Sequence, residues 1–290
     1  MARSVGEAFD VFLRRLTPTE AQRNAGAIHR ASVKAALEAK LEAGSFFEVG
    51  SFKHGTGVRG HSDIDALVSL RSGRPASSYT ALEWVKGALS ARFPNTPVVI
   101  RRPAVAVRFG GGYETWEVVP GFMTTRGKTG QYVYDIPGPS IGGGWIDSAP
   151  QEHLSYVNEC NQKPGKGNAK ALARLIKAWK YFRDVPISSF YLEMRCAQYV
   201  KGISTYVHIW DVCLILEKLH GHQLAAMNDP RQAAGRIHAC SSDATRAEAL
   251  SKLATAATRA RKALDAYLAG KPDDAFYYLD QLFGGHFPAR

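Results

Sequence analysis

The chain has 290 residues, a mean hydropathy of −0.21 and a formal charge of +11, with 37 Lys and Arg against 26 Asp and Glu. This length allows one large domain or two lobes, and no apolar stretch is long enough to span a bilayer. A basic surface attracts anionic ligands, but the charge balance does not choose between nucleic acids and nucleotides.

The N-terminal residues lack the apolar core of a secretory signal. The four cysteines show no Cys-x-x-Cys spacing, and no second pair with zinc-ligand spacing accompanies His238-x-Cys240. Reduced thiols are the simplest account of Cys160, Cys196, Cys213 and Cys240. We therefore expect a cytoplasmic protein without a membrane partner.

The first predicted element is a long helix that starts with Thr17 as its N-cap, Pro18 at its first helical position and Glu20 three residues after the cap. The helix is predicted to end near Leu41, before Gly44. A slim apolar face repeats at helical spacing and consists of Ile28, Ala31, Ala35 and Ala39. Small side chains allow close approach to other elements, so the helix is interpreted as a spine that joins two lobes.

The stretch 48–68 carries the strongest chemical signal. It places Gly50 and Ser51 in a flexible loop and Asp63 and Asp65 at the start of an apolar strand, 64–70. Side chains two apart on a strand share a face, so the two carboxylates point together, and their repulsion favours a cation between them. Oxygen ligands suit Mg²⁺, which also binds substrate phosphates, and a Gly-Ser loop offers N–H and hydroxyl groups to those phosphates.

Each of these signals is ambiguous by itself. A lone Asp-x-Asp is commonly a solvated strand end, and a lone Gly-Ser pair is commonly a turn. The combination of Gly-Ser, Gly-Thr and Ser-Asp-Ile-Asp is much rarer, and it predicts a nucleoside-triphosphate site.

Further along the chain, a helix is predicted over Ser78–Arg92, and strands are predicted over Val98–Arg102, Val105–Phe109 and Thr115–Val119. The glycines at 110–112 separate the last two strands as a hairpin turn would. Residues 124–150 are rich in turn formers, and nearly everything after them has helical patterning. The predicted lobes are therefore 1–150 and 151–290.

The helix over Asn168–Phe182 opens the second lobe with an apolar stripe: Leu172, Leu175, Ile176, Trp179 and Phe182. Lys170, Arg174 and Lys177 share its opposite face. A solvated basic face is the default interpretation of such a pattern.

The Gly-Ser and Asp-x-Asp segment resembles the nucleotidyltransferase superfamily of DNA polymerase beta, poly(A) polymerases and CCA-adding enzymes. Within it, the chain is most similar to the bacterial relatives of cyclic GMP–AMP synthase and oligoadenylate synthase, the CD-NTase family. The resemblance implies an α/β (α+β) fold. A polymerase-beta-like lobe with a mixed sheet would pack on a C-terminal helical lobe, and the N-terminal spine would join them.

The resemblance also implies a third carboxylate on a neighbouring strand. Glu117 matches the family's acid shortly before Val-Pro, although many members carry Asp there. Glu114 is the rival, but it points to the opposite face of the strand. We expect Pro120 and Gly121 to end this strand.

In the helical lobe, the match Arg174-Leu-Ile-Lys-Ala-Trp179 implies that Lys177 turns toward the triphosphate. The following Ser-Ser-Phe-Tyr-Leu-Glu193 implies that Ser189 binds phosphate oxygens and that Phe190 or Tyr191 lies near a base. With Gly50 and Ser51, these residues would form the nucleotide site.

The implied activity is synthesis of a cyclic di- or trinucleotide from NTPs, with two Mg²⁺ ions, replaceable by Mn²⁺, held by the three carboxylates. The implied partners are regulatory or effector proteins of an anti-phage defence operon. No nucleic acid is expected to be obligatory, since no zinc-bearing insertion is apparent. The alternatives are addition of nucleotides to an RNA 3′ end, transfer of AMP to another acceptor, and a non-enzymatic binding module, which would require a broken triad.

Overall fold

A computed structural model of the chain describes residues 4–61, 63–110, 114–140, 142, 144–162 and 164–290, without the side chains of residues 21–27. The strands are β1 (Ala43–Val49), β2 (Ile64–Leu70), β3 (Val98–Arg101), β4 (Ala104–Phe109), β5 (Glu114–Met123), β6 (Tyr134–Pro137) and β7 (Trp145–Ser148). The helices before residue 150 are α1 (Val5–Leu16), α2 (Glu20–Lys40), α3 (Gly50–His54) and α4 (Ser78–Arg92). Those after it are α5 (Pro150–Cys160), α6 (Asn168–Phe182), α7 (Ser189–Lys201), α8 (His208–Gly221), α9 (Asp243–Leu268) and α10 (Pro272–Leu282).

The strands form one mixed sheet in the order β1-β2-β5-β4-β3, with β6 paired to β5 and β7 paired to β6. Among the described strand pairs, only β2–β5 is parallel, and its register places Asp65 beside Glu117. The predicted mixed sheet, the strand over 64–70 and the helix over 78–92 are confirmed. Strands β4 and β5 pair antiparallel, as the glycine signal predicted, although residues 111–113 lie outside the described part of the chain.

The prediction that Pro120 and Gly121 end the strand is wrong, since β5 continues to Met123. The described pairing of β4 with β5 stops at Val118, so Pro120 pairs only with Val68 of β2. A proline without an N–H is tolerated at such a one-sided position. At Gly121 an added Cβ would lie 3.0 Å from a methyl carbon of Leu67, so glycine allows close packing there.

The predicted spine helix differs from the structure in two ways. At its predicted start, residues 17–19 separate helix α1 from helix α2, so α2 begins at Glu20 rather than at Pro18. The apolar face is also misplaced: Ile28 is 71% exposed, and the three alanines of that face are exposed as well. The buried face carries Val33, Ala36 and Leu37, because branched side chains offer more apolar area to the sheet lobe than alanines do.

The described residues form two large hydrophobic cores. One lies between the sheet and helices α2 and α4, and it includes Ile64, Ala66 and Val68 of β2. The other joins helices α5–α10 with α1, whose Phe9 and Phe12 are fully buried in it. The N-terminal helix thus packs with the C-terminal helices. Among the described helices, none is both long and apolar enough to cross a membrane.

Candidate active site

Three carboxylates meet at one wall of a cleft between the sheet and the helices. Asp65 on β2 and Glu117 on β5 are register partners of adjacent strands, so their side chains share a face. Asp63 lies two residues before Asp65, directly ahead of the strand. All three line the cleft, which has a volume of about 970 Å³. Glu114 instead accepts a hydrogen bond from the indole N–H of Trp116 (2.7 Å) and contacts His29 Nδ1 (3.0 Å), outside the cleft lining.

The electrostatics of this wall show unbalanced negative charge. The pKa of Asp65 rises to about 7, because burial and then the charges of Glu117 and Asp63 oppose ionisation. Burial, above all, also raises the pKa of Asp63 and the pKa of Glu117. A divalent cation would relieve this repulsion, and carboxylate oxygens in an open cleft are its preferred ligands.

The wall is not a complete cation cage. Within the described residues, no three His, Cys, Asp or Glu side chains are arranged as a preformed metal site. Mg²⁺ commonly binds through one or two carboxylates, with waters and substrate phosphates completing its shell. The donor set at Asp63, Asp65 and Glu117 therefore fits Mg²⁺ together with a bound triphosphate.

Arg101 is a neighbour of this wall that the sequence analysis did not identify. Its Nη1 lies 3.6 Å from Glu117 Oε1, and its charge lowers the pKa values of Asp63 and Glu117 against the effect of burial. The position on edge strand β3 explains why sequence periodicity gave no signal for it. Arg101 partly offsets the negative charge of the three carboxylates.

The Gly-Ser segment, predicted as a flexible loop, forms the short helix α3. Gly50 has φ +63°, and an added Cβ would overlap the carboxylate of Asp65. Only glycine meets both the backbone and the space requirement at this position. The fold therefore brings Gly50 and Ser51 directly against the carboxylate wall.

Lys177, predicted on a solvated face, is fully buried, and that expectation is wrong. Its Nζ donates to the carbonyl oxygen of Thr56 (3.1 Å) and lies 3.8 Å from Glu193 Oε2. Glu193 also accepts hydrogen bonds from the Thr56 hydroxyl and pairs with His54 Nδ1. The residues after α3 pack against this face of α6, so the face lies between lobes rather than in water. Lys177 still lines the cleft, near Asp65.

The other two residues of the predicted basic face support the same segment. Arg174 donates to the carbonyl oxygens of Gly57 (2.9 Å) and Gly55 (2.5 Å). Lys170 packs beside Gly55, and neither residue is among those that line the cleft. The basic face of α6 therefore holds the loop that follows the Gly-Ser helix.

Ser189 lies at the start of α7, where Ser188 is the N-cap. Its hydroxyl accepts a hydrogen bond from Lys180 Nζ (2.7 Å) and lies 3.1 Å from the Tyr181 hydroxyl. Burial and the nearby charge of Lys177 lower the pKa of Lys180 to about 8. The sequence analysis missed Lys180, although its spacing of three residues from Lys177 is a detectable signal.

Phe190 and Tyr191 occupy different environments. Phe190 is 37% exposed, lines the cleft, and packs edge to face against His153 with ring centroids 4.9 Å apart. Tyr191 is buried and donates to the carbonyl oxygen of Ala225 (2.8 Å). Of the two predicted candidates for contact with a base, only Phe190 faces the cleft.

Comparison with solved structures shows the same fold across nearly the whole chain. Escherichia coli CdnC with ATP matches with a TM-score of 0.76 and 16% identity, covering 98% of this chain and 99% of that chain. CD-NTase CdnG of Bradyrhizobium diazoefficiens in complex with GTP matches with a TM-score of 0.75 and 13% identity, covering 97% of this chain and 96% of that chain. Vibrio cholerae DncV cyclic AMP–GMP synthase, in complex with a linear intermediate, gives a TM-score of 0.66 and 15% identity, covering 84% and 70%.

Sequence comparison identifies the family. A probable cyclic nucleotide synthase of Bacillus cereus is 29% identical over 119 residues, which are 40% of this chain and 35% of that relative. The profile of the Second Messenger Oligonucleotide or Dinucleotide Synthetase domain matches residues 3–161, more than half of the chain. This range contains α3 and the three carboxylates. The chain therefore belongs to the Second Messenger Oligonucleotide or Dinucleotide Synthetase domain family.

Proposed function

We propose that this protein is a divalent-metal-dependent nucleotidyltransferase that makes a cyclic di- or trinucleotide second messenger from NTPs. One observation carries the proposal: Asp65 and Glu117 lie side by side, with Asp63 adjacent and the Gly50–Ser51 helix start packed against them. A wall of repelling carboxylates beside phosphate-binding groups is suited to in-line transfer of a nucleotidyl group.

In this proposal, Asp63, Asp65 and Glu117 hold two Mg²⁺ ions, or Mn²⁺ in their place. The bound metal would neutralise phosphate charge and lower the pKa of the attacking ribose hydroxyl. Asp63 and Asp65 orient the donor triphosphate, and Glu117 completes the set on the acceptor side. Asp65 or Glu117 can accept the proton that the hydroxyl loses.

The leaving pyrophosphate gains negative charge during transfer, so cationic and N–H groups near it help most. We assign this role to the Gly50 and Ser51 backbone, the Ser189 hydroxyl and the Lys180 ammonium, which already donates to Ser189. Lys177 contributes its positive charge near Asp65, while its ammonium donates a hydrogen bond to the carbonyl oxygen of Thr56. Phe190 offers an exposed ring on which a nucleobase can stack.

The proposal is tested with pure protein, Mg²⁺ and labelled NTPs. Phosphatase-resistant oligonucleotides that form without an added acceptor support a cyclic product. Mass spectrometry then identifies the bases and the ring size. Extension of an added RNA 3′ end, or labelling of another acceptor in place of cyclic product, would contradict the proposal.

We further propose NTPs as substrates, regulatory or effector proteins of a defence operon as partners, and the cytoplasm as the location. ATP and GTP are present in similar solved structures, and a second E. coli CdnC structure, at 15% identity, is a complex with HORMA-deltaN.

We expect no requirement for nucleic acid: product yield at near-physiological salt should change less than about twofold when duplex DNA or RNA is added. Weak duplex binding at low salt should fade as salt rises. Length-dependent stimulation of many-fold would contradict this expectation.

A further inference from the structure

One wall of the cleft is an irregular segment between α8 and α9, residues 229–238, which we term the rim loop. Its first residue, Asp229, is buried and accepts hydrogen bonds from three backbone N–H groups of the loop. The donors are Arg231 (2.9 Å), Ala233 (2.9 Å) and Ala234 (2.7 Å). The carboxylate thus fixes the backbone of the rim loop from inside, and the loop presents a defined surface to the cleft.

Two further contacts tie the rim loop to its surroundings. Met227 and Ile237 form an antiparallel bridge with hydrogen bonds of 3.0 and 2.8 Å. On the other side, Asp229 Oδ1 lies 3.3 Å from Nε2 of the buried His153. The loop is therefore anchored at both ends and at helix α5.

These anchors place the rim loop next to Phe190. The backbone N–H of Ser188 donates to the carbonyl oxygen of Ala239 (2.7 Å), which joins the end of the loop to the start of α7. The His153 ring, which contacts Asp229, also packs against the Phe190 ring. Phe190 and residues 234–238 of the rim loop line the same cleft, so a base stacked on Phe190 would share the cleft with the rim loop.

Arg236 is the cationic side chain of the rim loop that lines the cleft. It is exposed, and its Nη2 donates to the carbonyl oxygen of Ala226 (3.1 Å), which orients the guanidinium. A guanidinium has five N–H donors, so donors remain for a ligand. Arginine pairs bidentately with the O6 and N7 acceptors of guanine, whereas adenine presents a donor beside N7.

We propose that Arg236 is a specificity-determining residue that reads the O6/N7 edge of a guanine stacked on Phe190. The proposal rests on the proposed function, because it takes the cleft as a nucleotide site. It names GTP as one substrate of the enzyme. A phosphate group is the other chemistry that an exposed arginine can bind, and the two ligands make different predictions.

The test measures binding without turnover, by calorimetry with Mg²⁺ and the α,β-methylene triphosphates of guanosine, inosine and adenosine. Inosine keeps O6 and N7, so the wild-type protein should bind the guanosine and inosine analogues about tenfold or more tightly than the adenosine analogue. Arg236→Gln and Arg236→Lys should reduce this preference to within about twofold, because neither side chain keeps the bidentate fork. Affinity for the adenosine analogue should stay unchanged.

Arg246 provides a control, since it is also an arginine bonded to a backbone carbonyl, that of Gln223 (2.7 Å), but it is half-buried and lies outside the cleft lining. Arg246→Gln should keep the guanosine preference. Equal weakening of all three analogues by Arg236→Gln would show a phosphate contact and overturn the proposal. A wild-type protein without a guanosine preference, or one whose preference survives both Arg236 variants, would also overturn it.

The outcome is separable from that of the proposed function. Cyclic product without guanosine-selective binding refutes only the role of Arg236. Selective binding without any product refutes the activity and leaves the rim loop as a guanine reader. A protein that binds none of the analogues and makes no cyclic product would refute both.

Discussion

Two buried regions of the cleft each contain a carboxylate, but the surroundings give the two groups opposite properties. Asp65 stands beside Glu117 and Asp63, and its pKa rises to about 7. Glu193 stands among His54, Thr56 and Lys177, and hydrogen bonding to His54, followed by the charges of His54 and Lys177, lowers its pKa to about 2 against the opposing effect of burial. Burial raises the pKa of both groups, so the difference between their partners decides which charge state each one favours.

This difference separates two parts of the cleft. We call Asp63, Asp65 and Glu117 the reactive wall, and Glu193 with its partners His54, Thr56 and Lys177 the structural joint. The carboxylates of β2 and β5 have few cationic partners, and in the proposed function a metal ion would balance their charge. Glu193 joins α7 to the loop after α3 and is satisfied within the protein. Replacing each group by its neutral isostere should therefore damage different properties of the enzyme.

The largest effect on activity is expected from the double variant Asp63→Asn/Asp65→Asn. Product formation should fall to background, because the metal loses its main ligands. Stability in metal-free buffer should equal or exceed that of the wild type, since the substitutions remove repulsion. Thermal melting and product yield measure the two effects. Retained synthesis with an unchanged melting curve would exclude the two-metal mechanism.

The two glutamates of β5 sharpen the assignment of the third ligand. Glu117→Gln should lower activity by on the order of a thousandfold, because a metal contributes several kcal/mol to the transition state. Glu114→Gln should stay within about threefold, since Glu114 bonds to Trp116 and contacts His29 away from the cleft lining. Initial rates at saturating NTP measure both variants. If their effects were exchanged, the reacting groups would lie on the other face of β5.

For Glu193 the expected loss is in stability. Glu193→Gln leaves the buried Lys177 ammonium without its counterion, which should cost about 3–5 kcal/mol in the free energy of unfolding. Urea denaturation measures this loss. The partly exposed surface pair Lys252–Glu248 is the control, and Glu248→Gln should cost less than about 1 kcal/mol.

Two further measurements separate a lost ion pair from a packing defect. The double variant Lys177→Met/Glu193→Leu should recover part of the stability, because it removes both charges together. The Glu193 contribution should also be fully present above about pH 4.5 and be lost as the pH falls toward 2, since the folded pKa is the lower one. A small effect of Glu193→Gln, without this pH dependence, would remove the distinction between the two carboxylates.

The reactive wall is largely predictable from sequence, whereas the structural joint is not. The period of two along Ile64–Leu70 identifies both the buried face and the shared direction of the two aspartates. Helical periodicity likewise groups Lys170, Arg174 and Lys177, but it does not reveal what packs against that face. Only the tertiary structure shows that the loop after α3 buries Lys177.

The other differences between the sequence predictions and the structure also arise from tertiary contacts that sequence periodicity does not show. The buried face of α2 follows from which residues offer the most apolar area, and the interval of three or four residues alone selected the wrong ones. Pro120 is tolerated within β5 because the pairing of β5 with β4 stops at Val118, and the position of that stop depends on the register of β4. The rim loop has no periodicity at all, so its contacts with α5 and α7 are found only in space.

The smallest predicted effect concerns Lys180. This residue is half-buried, and its ammonium donates a hydrogen bond to the Ser189 hydroxyl. Loss of a charge-assisted contact to phosphate in Lys180→Ala should weaken NTP affinity about tenfold to a hundredfold. In the wild type, the Lys180 contribution to affinity should be fully present below about pH 8 and be lost as the pH rises through about 8, where the free ammonium loses its proton. Lys180→Arg keeps its charge and should flatten this profile between pH 7 and 9.5. Titrations by calorimetry with an α,β-methylene triphosphate measure both variants. A wild-type profile that is flat over this range, or one that Lys180→Arg leaves unchanged, would remove Lys180 from the phosphate site.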